Sequence, residues 1–220
     1  MPPGEPFFRP EWVVDNLDVI WQRIVEHVSM TVTAVVIGFV ISFGLALLIR
    51  RRRALAAAVI GTAGVLYAIP SLALFAFLIP FTGISFVTAE IALVSYTLLI
   101  LVRNILLGLD GVPAEVIEAA TGMGLTSSQR LWRVELPIAL PIIVAGVRIA
   151  TVTTVGLVTV TSLIGQGGLG YLIVVTGIGN FFPTAIYVGA ALSAALAMFA
   201  DVSLLGIQRL LTPWARARSG

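Results

Sequence analysis

Residues 118–137 read EAATGMGLTSSQRLWRVELP, a polar segment set between two long apolar stretches. Just upstream, Pro113 suits the first turn of a helix, and Glu115 and Glu118 fall near its N-terminus, where the helix dipole favours acids. Val116, Ala119 and Ala120 form a low-profile apolar stripe, and Gly122 or Gly124 can close the helix with a left-handed residue. Thr126-Ser127-Ser128-Gln129 has capping-box spacing, which starts a second helix. Leu131, Trp132 and Val134 then face a partner or the bilayer surface, and Pro137 opens the next apolar run. The expectation for 108–137 is two short helices at an angle, joined at Gly124. Such a bracket cannot bury its own apolar stripe, so it requires a partner.

The rest of the chain explains what the bracket is attached to. Of 220 residues, 59% are hydrophobic and only 11% charged, and the mean hydropathy is +1.06. A soluble domain carries roughly 25% charged residues, so this chain cannot cover itself with a polar surface. Hydrocarbon is the simplest solvent for it. The 13 basic residues are all arginine, scattered or placed at the ends of apolar runs, and the net charge is +2. That distribution argues against a nucleic-acid surface. The absence of cysteine removes disulfides, thiolate nucleophiles and Cys-based metal sites. The single histidine, His27, has no catalytic constellation around it. No catalytic, cofactor or metal residues are therefore assigned. Residues 1–28 lack a basic stretch leading into a short apolar core with a cleavage site, so no removable signal peptide is expected.

A helix needs about 20 apolar residues to cross a bilayer. Five runs qualify, at 29–49, 56–79, 85–107, 138–163 and 184–207. The expected organisation is an N-terminal segment at 1–28, a transmembrane domain at 29–212 and a tail at 213–220. Arg50 to Arg53 close the first run, and Arg209, Arg216 and Arg218 follow the last. The positive-inside rule places both on the cytoplasmic side. Five spans then leave the N-terminus outside, in keeping with Glu5, Glu11, Asp15, Asp18 and Glu26 against Arg9 and Arg23. The 108–137 loop, with Arg130 and Arg133, falls inside. The C-terminus is also inside.

Trp12, Val13, Leu17, Ile20, Trp21, Ile24 and Val25 recur close to helical spacing. They read either as an amphipathic helix in the outer interface or as a packed lead-in to the first span. Pro70 should kink the second span and Pro80 end it, while Pro141 and Gly156 mark the fourth. Small residues at Gly38, Gly44, Ala46, Gly61, Gly64, Ala190, Ala194 and Ala195 allow close helix approach. Residues 165–180, GQGGLGYLIVVTGIGN, are too few to cross and should form an outer-face turn with a short or re-entrant helix. Their glycines lack the Lys-Ser/Thr of a phosphate loop, which excludes nucleotide binding there. Glu90, Arg103, Arg148 and Asp201 are charges in or near spans. The two arginines can snorkel to a nearby interface, and Asp201 is expected to pair with an arginine from another helix.

The pattern Glu118-Ala119-Ala120, three residues, Gly124, nine residues, Val134, one residue, Leu136-Pro137 resembles the EAA loop of bacterial ABC-importer permeases. Val134 stands where the family usually has Ile. Stretches over 27–39, 68–84, 118–156 and 163–170 (among them HVSMTVTAVVIGF and LIGQGGLG) resemble the osmoprotectant permeases within that family. Those import glycine betaine, carnitine, choline or proline betaine. The five-span layout with the N-terminus outside also resembles the small methionine-importer permeases. The resemblance implies an all-α integral membrane fold of the type I importer kind in the bacterial inner membrane. It also implies a coupling helix docking on a cytoplasmic ABC ATPase dimer, with Glu118, Ala119, Ala120 and Gly124 at the contact and Leu136 and Pro137 completing the motif. The implied partners are that ATPase, a second permease (the same chain or a paralogue) and an extracytoplasmic binding protein holding any aromatic cage for a quaternary amine. Tyr67, Pro70, Ser71, Gly156 and Thr159 are candidates for a translocation path. Tyr67, Phe75 and Tyr96 either line it or pack in the core.

Three other functions compete with an ATP-driven osmoprotectant importer. A methionine or amino-acid importer would use the same parts. An ion-coupled transporter would show internal repeats and working midplane carboxylates, for which Asp201 is the sole candidate. A membrane anchor for a soluble ATPase would bind the ATPase without substrate flux.

Overall fold

A computed structural model of the chain describes residues 7–213. Glu5, Arg216 and Arg218, used above for orientation, lie outside the described residues, as does nearly all of the 213–220 tail. Among the described residues every regular element is helical. A short α1 (Pro10–Asp15) is followed by α2 (Leu17–Ile49), α3 (Arg53–Ala68), α4 (Ser71–Thr82) and α5 (Phe86–Asp110). Next come α6 (Ala114–Gly122), α7 (Ser127–Arg130), α8 (Leu136–Val160), α9 (Leu169–Tyr171) and α10 (Pro183–Leu211). A π-helical turn over Leu131–Glu135 joins α7 to α8, and a second over Leu172–Ile178 continues α9.

α5 and α8 pack on each other at the centre, with α2 against both, α10 against α8, and α3 and α4 against α5. Two buried clusters result. One joins Met30, Ala34, Leu74, Phe75, Leu93 and Val158 towards the α9 end. The other joins Ala46, Ile49, Leu101, Ile105, Ala139 and Ile143 towards the α6 end. Large apolar side chains such as Val40, Leu48, Phe77, Phe81, Phe199 and Leu210 are exposed. That surface needs lipid or a partner chain, and the molecule is a multi-pass membrane protein.

The spans differ from expectation in instructive ways. Among the described residues, four helices are long and apolar enough to cross unbroken, and the run expected as the second span is a pair, α3 and α4, bent by 97°. The kink expected at Pro70 is therefore a full break. Proline disfavours helical backbone in the residue before it, and Ile69 is extended at ψ 129°. The Tyr96 hydroxyl, in an edge-on ring contact with Tyr67, donates to the freed Ile69 carbonyl. Pro80 does not end its helix. It lies inside α4, which closes at Gly83 with φ 70°.

The lead-in at 12–28 is continuous with the first span rather than a separate helix, apart from α1. Its stripe divides: Trp12, Val13, Ile20 and Ile24 pack on Leu169, Leu172 and α10, while Leu17, Trp21 and Val25 stay exposed. Among the small residues, Gly38 seats against Thr97, whereas Gly44, Gly61 and Gly64 face open space.

Candidate functional site

The segment between α5 and α8 folds as two helices meeting at a left-handed Gly124 with φ 81°. Both arms of the capping box form: Gln129 N–H donates to Thr126 Oγ1 at 3.3 Å, and Thr126 N–H donates to Gln129 Oε1 at 2.9 Å. The second helix, however, is not a free-standing piece. α7 runs through the π turn into α8, giving one apolar unit of 38 residues from Ser127 to Ile164. At 1.5 Å per residue that is about 57 Å, nearly twice a hydrocarbon core of about 30 Å. That is more than a single crossing needs, and α6 is joined to the N-terminal end of this unit through Gly124.

On α6, Glu115, Glu118, Ala119, Gly122 and Met123 are exposed on one side, while Ala120 is 1% exposed and packs inward. Glu118, Ala119 and Gly124 are thus available to a partner. Ala120 is not, and its small side chain instead lets α6 lie close to the body. Met123, absent from the expected set, is an exposed apolar side chain beside them. Leu136 and Pro137 lie apart from these residues, lining an apolar groove with Phe39, Phe43 and Trp132.

Beneath α6 lies an ion-pair cluster that the sequence showed only as scattered charges. Glu135, its side chain 5% exposed, receives Arg130 Nε on Oε1 at 2.9 Å and Arg50 Nη1 on Oε2. Burial opposes its charged form, but hydrogen bonds from Arg130 and Arg50 prevail and hold the carboxyl below the usual carboxylate range. Arg130 Nη1 also donates to Thr121 Oγ1 at 2.9 Å. A cleft of about 620 Å³ beside the cluster is lined by Arg51, Asp110 and Ile117 as well as by its charged members.

The path candidates fall in two places. Tyr67 and Pro70 are exposed and Ser71 half-buried at the break between α3 and α4; Gly156 is exposed on α8, and Thr159 donates from Oγ1 to its carbonyl at 2.6 Å. Phe75 and Tyr96 are core residues. Nearby, the 165–171 turn is clamped by α2. Gly168, at φ 83°, donates its N–H to Glu26 Oε2 at 3.0 Å, and the Leu169 N–H donates to His27 Nδ1 at 3.2 Å. His27 Nε2 lies 3.0 Å from the Val155 carbonyl, and the Arg23 guanidinium stacks 3.8 Å from the Tyr171 ring centre.

Of the intramembrane charges, Asp201 pairs with an arginine as expected. The partner is Arg148, bound through Nε at 3.0 Å and Nη2 at 2.9 Å. Arg103 is exposed. Glu90 is buried, and neither carboxylate oxygen has a hydrogen-bond partner among the described residues. Leaving a buried polar group unpaired is costly, and an apolar side chain of similar length removes that cost. Glu90→Met is therefore expected to raise the thermal midpoint by about 2–4 °C. A fall of that size in a detergent melt would mean that something holds the carboxylate.

Comparison with known proteins places these features. A choline transport system permease protein of Bacillus subtilis, OpuBB, is 36% identical over 188 residues, covering 86% of each chain. The osmoprotectant import permease protein OsmW of Salmonella typhimurium is 37% identical over 207 residues, covering 92% of this chain and 96% of its own. The fold matches that of a chain in the MetNI methionine ABC transporter, solved in inward-facing conformations, with a TM-score of 0.79 at 24% identity, covering 90% of this chain and 98% of that one. The model for binding-protein-dependent transport system inner membrane components matches residues 34–217. With that match over most of its length, the chain belongs to the family of binding-protein-dependent transport system inner membrane components.

Proposed function

We propose that this chain is the permease subunit of an ATP-driven importer for a quaternary-amine osmoprotectant such as choline, glycine betaine, carnitine or proline betaine. The observation that carries the reading is α6, a short helix seated on the body through Ala120 with Glu118, Ala119 and Met123 outward. A nine-residue helix is too short to keep its shape alone, so its exposed face is poised for a partner. That partner is a cytoplasmic ABC ATPase dimer whose closure pushes on α6 and switches the bundle between inward- and outward-open forms. Orientation follows: α6 and Arg50 to Arg53 face the cytoplasm of a bacterial cell, and the 165–180 turn faces the binding protein that delivers the substrate. In support, Arg50 meets Glu135 and Gln208 meets the Pro141 carbonyl, so the ends of α2 and α10 lie with α6. A single bundle this small makes too narrow a path, and two permeases, identical or paralogous, share it. The substrate class rests on the choline and osmoprotectant relatives.

A chain without cysteine makes the test direct. Ala119→Cys and Met123→Cys are expected to crosslink to the ATPase in the assembled complex, and Val40→Cys is not. In proteoliposomes, choline uptake is expected to require internal ATP and binding protein and to survive collapse of ion gradients. Competition by methionine but not choline would move the substrate to the amino-acid class. Uptake lost with the gradient while ATP stays high would favour an ion-coupled carrier, and ATPase binding without flux would leave only an anchor.

A further inference from the structure

The contacts beneath α6 lie outside the residues assigned to the partner contact, and they link three elements through one carboxylate. Thr121, near the end of α6, accepts from Arg130; Arg130 and Arg50 occupy separate oxygens of Glu135. Arg50 ends α2, and Glu135 ends the π turn that begins α8. α6 also meets the body through buried Ala120, half-buried Val116 and Ile117, and the two chain connections at Pro113 and Gly124. A push on α6 thus has a stiff polar route into two spans at once. The wide π turn supplies a place to yield, since such turns interrupt the regular helix ladder.

Resting on the reading of α6 as the ATPase contact, we infer that Glu135 is a positioning residue, the junction through which movement of α6 reaches α2 and α8. A side chain with this role touches neither substrate nor ATPase. Its loss separates hydrolysis from transport rather than lowering both together.

The test uses the full complex of permease, ATPase dimer and binding protein in proteoliposomes, with labelled choline and phosphate release read on the same sample. Glu135→Gln keeps the side-chain shape but removes the charge that holds both arginines. It is expected to leave hydrolysis within about twofold and to lower choline moved per ATP by about tenfold. Thr121→Val removes the link from Arg130 to α6, together with the hydroxyl's bond to the Ile117 carbonyl in the same helix, at an exposed position, and is expected to lower that ratio by roughly threefold. Arg130→Lys, too short to bridge Thr121 and Glu135 together, should behave like Thr121→Val. A proportional loss of hydrolysis and transport in Glu135→Gln, or wild-type ratios in both it and Thr121→Val, overturns the inference. If Glu135→Gln does not assemble, Thr121→Val and Arg130→Lys decide it alone. A wild-type complex in which the ATPase does not bind α6 sinks the reading of that helix and takes this inference with it; coupled variants beside a coupled wild type sink the inference only.

Discussion

Asp201→Asn is expected to lower the thermal midpoint of the detergent-purified protein by roughly 5–10 °C. Asp201 takes both forks of Arg148 across the α8–α10 contact, and Arg148 Nη1 continues at 3.3 Å to Gln208, whose amide donates to the Pro141 carbonyl at 3.0 Å. In lipid, tails are as apolar as leucine, so helix association draws on packing and on polar ties like this one. An uncompensated arginine within a span costs about 2.5–3.5 kcal/mol on insertion scales. Here the side chains are 23% and 38% exposed, so the loss belongs nearer the lower figure, about 2–3 kcal/mol. Removing both charges separates an orphaned cation from a lost bond. Arg148→Gln combined with Asp201→Asn should recover more than half of the midpoint. The competing role is proton carriage. A stable Asp201→Asn protein whose transport rate no longer varies with pH would assign Asp201 to that role and end the structural one.

What could be read from the chain alone was what depends on near neighbours. Thr126 and Gln129 are three residues apart, and both halves of their box form. Gly124 takes the left-handed backbone that closing a helix there demands. Apolar length marked the runs that form the long helices, because crossing hydrocarbon constrains residue type at every position. Effects set by distant partners were hidden. Pro70 announced a breaker, but the 97° bend also depends on Tyr96, far along the chain, capping the Ile69 carbonyl. Arg50 stood out only as one of a basic run; its pairing with Glu135 was not legible, since that partner lies 85 residues on. The EAA pattern named residues without faces, so Ala120 was grouped with Ala119 although one packs inward and the other outward. His27, alone of its kind, offered no pattern at all.

His27→Leu is nonetheless expected to be among the most damaging single changes. The ring is fully buried between α2, α8 and the 165–171 turn. Its Nδ1 accepts from the Leu169 N–H, so the ring nitrogen facing Val155, Nε2, must carry the proton in the neutral form, an assignment made from the bonding pattern. Leucine fills similar space and supplies neither group. The Val155 carbonyl lies within α8, where helix bonding is open to it, so its loss is the smaller one. The Leu169 N–H starts α9, where the first turn has no partner of its own, and being buried it bears most of the cost. Together they come to about 2–4 kcal/mol, or a midpoint lower by roughly 5–10 °C. The damage should be local as well as global. Amide exchange over 167–171 is expected to quicken in His27→Leu while 114–130, at the far end of the bundle, keeps its protection. His27→Gln, which restores a donor and an acceptor without the ring, should regain about half of the loss. Unchanged exchange over 167–171 in His27→Leu would show that Glu26 and the Arg23–Tyr171 stack hold the turn without it.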